Sequence, residues 1–146
     1  MAAEITVGVL LFFGNIAILS LLAYKVVKFS ELEEDYQNPT DFAKDMNKVF
    51  PYELGLQGTL FTLQFFNAVT ATSMLQLVLL LIHITYFGYH MKLFLDNKWK
   101  VDAAAVWGIN FKSKMKRTIF GGLAFAGTCF FLYLYNMIRV LTPGGR

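Results

Sequence analysis

Four amides and two histidines are the residues best placed to do chemistry within a long apolar run. Gln57, Gln64 and Asn67 recur after seven and then three residues, while Gln76, His83 and His90 repeat every seven, with Tyr86 nearby. On a helix of 3.6 residues per turn, each set follows one face. Thr128, Tyr135 and Arg139 make a similar stripe further on. Such groups could ligate a metal, relay protons or recognise another chain. A shared metal ion fits poorly, because His83 and His90 stand about 10.5 Å apart along a helix, with no carboxylate or Cys nearby in sequence. A proton relay needs an ionisable acid within the span, and Glu4 and Glu53 fall at span ends. No nucleophile–base pair, phosphate loop or paired-carboxylate site is visible. An enzyme is therefore not expected, and neither a cofactor nor a nucleic acid. Hydrogen bonding is what remains. Polar side chains are costly against lipid, so each stripe turns inward or stays open for a span of another protein.

The elements carrying these stripes are read from hydropathy. Residues 54–91 form a stretch of 38 without Lys, Arg, Asp or Glu. As one helix it would run about 57 Å, against a hydrocarbon core of about 30 Å that roughly 20 residues span. It is too long for one crossing and suits two. Its middle, Asn67-Ala68-Val69-Thr70-Ala71-Thr72-Ser73, is small and polar, which predicts a tight reversal there. Spans are predicted at 5–24, 54–70, 74–91 and 118–141, giving an all-α membrane protein of four transmembrane helices in one domain, 1–146. The composition agrees: 56% of residues are hydrophobic, 16% are aromatic, and mean hydropathy is +0.50. These values are too high for a soluble domain of this length. The single Cys129 lies inside a span, which excludes a disulfide framework. Gly122 and Ala126 make a small-xxx-small pair that permits close helix approach.

Charge orients the spans. Segments 25–53 and 92–117 hold eleven of the thirteen basic residues; the other two are Arg139 and Arg146. The positive-inside rule then puts both loops in the cytoplasm and both termini on the lumenal or extracytoplasmic side. The start, Met1-Ala2-Ala3-Glu4, has no basic region, so an uncleaved first span is expected rather than a removed signal peptide. In the first loop, Ser30-Glu31-Leu32-Glu33 fits a capping box and Asn38-Pro39-Thr40-Asp41 a fresh helix start. Phe42, Met46, Val49 and Phe50 then share one face, predicting a short surface helix that Pro51 ends. In the other loop, residues 102–107 predict a short capped helix stopped at Gly108. Trp99 and Trp107 suit the headgroup layer, and Lys112, Lys114, Lys116 and Arg117 would anchor the last span against the lipid bilayer.

Residues 29–39 contain Phe29, Glu31, Leu32, Asp35, Tyr36, Asn38 and Pro39 in an F-x-E-L-x-x-D-Y-x-N-P pattern, which resembles the first-loop signature of cornichon proteins. Pro51-Tyr52-Glu53 resembles that family's Pro-Glu entry to the next span, with Tyr52 inserted. Asp102-Ala103 resembles its Asp-Ala/Asp-Pro step, and the aromatic run from Phe130 to Ile138 resembles its final span. The resemblance implies a membrane cargo receptor that binds transmembrane cargo proteins and engages the COPII coat for export from the endoplasmic reticulum to the Golgi. The alternative it implies is an auxiliary or assembly subunit held on a channel or transporter, in some settings at the plasma membrane; either could form homo- or hetero-oligomers. A small pore or transporter is a third reading, weakened by the lack of an acid within a span. On this resemblance Gln57, Gln64 and Asn67 become candidate cargo contacts. Val106 and Trp107 become candidate coat contacts, because they occupy the place of the family's Ile-Phe-Arg-Thr-Leu type signal. Here that stretch reads Val106-Trp107-Gly108-Ile109-Asn110, without its Arg and Leu.

Overall fold

A computed structural model describes residues 2–71 and 73–142. Within them the chain forms four long helices: α1 (Ala2–Glu33), α2 (Pro39–Ala71), α3 (Met74–Leu95) and α4 (Phe111–Leu141), with one 3-10 turn at Ala105–Trp107 before α4. α1 packs against α2 and α4, and α3 closes the ring by packing against α2 and, over a shorter stretch, α4. Successive helices run antiparallel, so the 34–38 and 96–110 connections share one end of the bundle, the loop end. Three helices are long and apolar enough to cross a membrane, at Ala3–Glu33, Met74–Leu95 and Phe111–Leu141. α2 does not reach that level, because Gln57, Gln64 and Asn67 dilute its apolar half.

Local chemistry explains most helix ends. Asn38 caps α2 as the sequence predicts: its Oδ1 accepts from the Asp41 N–H at 2.8 Å, and Pro39 opens the helix, where a missing N–H costs nothing. The reversal between α2 and α3 falls in the predicted small-polar stretch. There Ser73 caps α3, accepting from the Gln76 N–H at 3.3 Å; Thr72 lies outside the described residues. Asp102 bends the loop by accepting from the Ala104 N–H at 3.1 Å, and the predicted short helix shrinks to the single 3-10 turn.

Two expected boundaries are absent. The Ser30–Glu33 capping box caps nothing, because α1 continues through it: between Tyr24 and Glu33 there is no Gly or Pro to stop a helix. The stop comes at Asp35, whose φ of 61° lies in the left-handed region, while Tyr36 N–H donates to the Glu31 carbonyl at 2.8 Å. Nor does Pro51 end a separate surface helix; it lies inside a continuous α2. Proline there removes one backbone bond, to the carbonyl of Asn47, yet packing on both sides keeps the helix in one piece. Phe42 and Met46 do not face a membrane surface. They pack with Phe29, Leu32, Val106 and Ile119 into a second core beneath the loops.

The main core runs through the middle of the bundle, with Leu11, Ile18, Leu22, Leu60, Leu79, Ala126 and Cys129. In lipid the hydrophobic effect does not draw helices together, so close packing must do so. Two glycines show how tightly. A Cβ on Gly14 would lie 2.3 Å from Leu60 Cδ2, and one on Gly122 would lie 2.7 Å from the Tyr86 hydroxyl and 2.9 Å from Leu22 Cδ2. Gly122 and Ala126 thus form the close contact of α4 with its neighbours.

Candidate functional site

The polar stripes of α2 and α3 turn toward each other and make a seam inside the bundle. At its far end from the loops, His83 Nε2 and the Tyr133 hydroxyl are 2.6 Å apart, and that hydroxyl donates to Gln64 Oε1 at 3.1 Å. The hydroxyl proton is therefore committed to Gln64, so His83 donates from Nε2. Gln64 Nε2 donates to Gln76 Oε1 at 3.0 Å and to its carbonyl at 3.1 Å, and Asn67 Nδ2 donates to the same Oε1 at 2.8 Å. Gln76 Nε2 completes the chain by donating to Asn136 Oδ1 at 3.0 Å. One connected network thereby joins α2, α3 and α4. Its bonds average well under 2 kcal/mol each in membranes, but they fix the register of three helices.

Toward the loop end, the seam becomes ionic. Glu53 has no exposed surface and pairs with Lys25 of α1. Gln57 Nε2 donates to Glu53 Oε1 at 3.3 Å, and His90 Nε2 lies 3.7 Å from the same oxygen. The remaining ring nitrogen of His90, Nδ1, is 3.1 Å from the Tyr86 carbonyl, which can only accept, so Nδ1 carries a proton. A cavity of about 310 Å³ opens beside this cluster, under a roof that includes Trp99. Phe50 stacks on Trp99 with centroids 4.9 Å apart, and Asn47 holds the loop by exchanging two hydrogen bonds with the Val101 backbone, at 2.6 and 3.0 Å.

The candidate residues separate sharply by position. Gln57, Gln64 and Asn67 are buried among helices of their own chain, as are Gln76, His83 and His90. Gln57, Gln64 and Asn67 thus turn inward, where their side-chain N–H groups donate to Glu53 and Gln76, the other outcome the sequence allows. The α4 stripe takes the other alternative and stays open. Thr128 is exposed, Tyr135 is 58% exposed and Arg139 is half-buried, so this face looks outward. The inward face carries Gly122, Ala126, Cys129, Tyr133 and Asn136. Those five repeat at four, three, four and three residues, a spacing that marks one helix face. Three contributors were missed from sequence. Asn15 is buried and donates from Nδ2 to the Ala126 carbonyl at 3.0 Å; as the lone amide in the first apolar run it carried its own signal. Tyr133 and Asn136 were hidden in an aromatic segment. The Lys25–Glu53 pair has no local signature, because its partners are 28 residues apart.

At the loops, Val106 and Trp107 part company. Val106 is 5% exposed in the second core, whereas Trp107 is 78% exposed and Ile109 beyond it is bare. Of the candidate coat-contact pair, Trp107 thus faces outward and Val106 holds the loop from beneath. The 29–39 motif is chiefly a joint: Phe29 and Leu32 are buried, Glu31 supplies the carbonyl that closes α1, Asp35 takes the left-handed conformation, and Asn38 with Pro39 starts α2. Of the motif's two aromatics, Tyr36 stands out into solvent.

Comparison with known proteins agrees with this architecture. The sequence model of the family described as Cornichon protein matches residues 5–135. The chain is 29% identical over 143 residues to Protein cornichon homolog 2 of Oryza sativa subsp. japonica, covering 94% of this chain and 87% of that one. It is 30% identical over 127 residues to Protein cornichon homolog 4 of Arabidopsis thaliana, covering 87% and 86%. Against Protein cornichon homolog 1 of Caenorhabditis elegans the identity is 28% over 139 residues, covering 95% and 89%. No solved structure matches significantly. With the family match spanning most of its length, the chain belongs to the cornichon family.

Proposed function

We propose that this chain is a non-enzymatic membrane cargo receptor, which selects transmembrane proteins for COPII-vesicle export from the endoplasmic reticulum to the Golgi. The observation that carries this is family membership over residues 5–135. The geometry supports it. Four helices whose polar groups bond to one another leave an outer surface of large apolar side chains, including Phe13, Phe66, Leu81 and Phe131. A bundle locked inside and apolar outside suits lateral contact with other membrane helices. Cargo then meets the outer faces of the helices rather than the seam.

In this proposal all four helices cross the bilayer, both termini are lumenal and the loop end is cytoplasmic. α2 crosses despite its amides because α3 and α4 bond Gln64 and Asn67, while Gln57 donates to Glu53. Coat recognition falls on the exposed loop aromatics, with Trp107 as its anchor and Val106 as its support. A buried Trp is a frequent hot spot in binding.

The test is to tag the protein, locate it and identify membrane proteins that co-purify in mild detergent. Cycling between endoplasmic reticulum and Golgi with many transmembrane clients is the expected result. Steady residence at the cell surface with one channel or transporter would reject the receptor in favour of an auxiliary subunit. Trp107→Ala should leave folding and client binding intact while holding receptor and clients in the endoplasmic reticulum; normal export of this variant would remove Trp107 from coat recognition.

A further inference from the structure

The loop-end cavity adjoins a second opening that the receptor function does not use. A groove of about 1030 Å³ runs along the outside of the bundle between α3 and α4, over Leu81, Ile82, Gly121, Phe125 and Thr128. Its loop end shares Tyr86, Tyr89, His90, Lys114 and Thr118 with the cavity. The groove exists because α3 and α4 touch over only a short stretch, and because Gly121 leaves its wall bare: a Cβ there would meet nothing within 4 Å.

Length and charge define what fits. From Arg117 to Thr128 the wall rises about 16 Å along α4, about half of a hydrocarbon core roughly 30 Å thick. The groove therefore matches the depth of one leaflet. A partner's transmembrane helix, about 10–12 Å across, would need a channel running the full thickness. At the loop end, Lys114 and Arg117 border the groove, with Lys98 and Lys100 lining the adjoining cavity. None of these four has a carboxylate partner among the described residues. The acids that line the cavity are Glu53, paired with Lys25, and Asp102, which accepts from the Ala104 backbone. An apolar slot one leaflet deep, topped by unneutralised cations, is complementary to a lipid with a negative headgroup. Basic pockets between membrane helices bind such headgroups.

We propose that the α3–α4 groove holds one anionic phospholipid of the loop-side leaflet, with an acyl chain against Gly121 and Phe125 and its phosphate at Lys114 and Arg117. This rests on the proposed membrane embedding but not on cargo export. The lipid would complete the wall that α3 and α4 leave open.

The chain has two tryptophans, so Trp107→Phe leaves Trp99, in the cavity lining, as the only one. That protein is reconstituted into phosphatidylcholine vesicles containing graded amounts of phosphatidylglycerol, or of phosphatidylcholine, brominated near the carbonyl end of an acyl chain. Half-maximal quenching of Trp99 fluorescence should need about tenfold less of the anionic lipid, given the attraction of two cations. Adding Lys114→Gln with Arg117→Gln should abolish that preference. Gly121→Leu should instead lower quenching by both lipids, with unchanged thermal stability. Equal quenching by the two lipids, unaltered by the charge or groove variants, would overturn the proposal. So would a dimer in which a second copy shields Trp99 from both. Failure of the protein to float with the vesicles would reject membrane embedding itself, and the lipid site with it.

Discussion

Glu53 is the residue whose environment constrains the chain most. Its carboxylate has no exposed surface and faces Lys25, Gln57 and His90. Replacing one partner of a buried ion pair leaves an uncompensated charge, at a cost of about 3–5 kcal/mol, whereas replacing both with apolar residues is often near neutral. Lys25→Leu or Glu53→Leu should therefore strongly lower the unfolding temperature in mild detergent, and the double replacement should recover most of the loss. Additive losses in the double variant would refute the pairing. Gly122 sets the packing in the same way. Gly122→Leu must displace the Tyr86 hydroxyl and Leu22, and overpacking of this kind costs about 1–3 kcal/mol. A melting comparison with Gly121→Leu, which meets open space, should show the loss at position 122 alone. What sequence revealed at this scale was periodic: Gln57, Gln64 and Asn67 announce one face because they share one helix. Lys25 and Glu53 could not be matched, since nothing local tells which two helices bring charges together.

The elements were legible where capping chemistry acts locally, and illegible where packing overrides it. Asn38, Pro39 and Ser73 mark true helix starts because a side chain or a missing N–H acts within one turn. Ser30 and Pro51 carry equally clear signals, yet both lie inside continuous helices, since the second core packs α1 and α2 well past the predicted span ends. On α4 the sequence left open which polar face turns inward. Polar side chains lie on both faces, Thr128 and Tyr135 outward and Tyr133 and Asn136 inward, so polarity alone did not separate them. The 96–110 loop depends on Asn47, which clasps the Val101 backbone from 54 residues away. Asn47→Ala should free that loop while leaving the helices folded. Limited trypsin digestion should then cut faster at Lys98 and Lys100, with unchanged helical circular dichroism; an unchanged cutting rate would show that stacking of Phe50 on Trp99 suffices.

At the scale of the whole molecule, the loop end gathers the cations, the second core and the exposed aromatics, and the opposite end carries the tight α2–α3 reversal. Eleven of thirteen basic residues fall in the two segments predicted as loops, which supports a cytoplasmic loop end. Trypsin added to sealed microsomes should cut near Lys44 and Lys112 and spare a tag placed after Arg146; digestion of that tag would overturn the topology. Export is tested most directly by vesicle budding from such microsomes with purified COPII coat. The tagged protein should enter the vesicles together with its co-purifying membrane clients, and clients should be depleted from vesicles made with microsomes lacking the protein. Clients that bud normally in its absence, while the tagged protein stays behind in the donor membrane, would contradict a role as an export receptor.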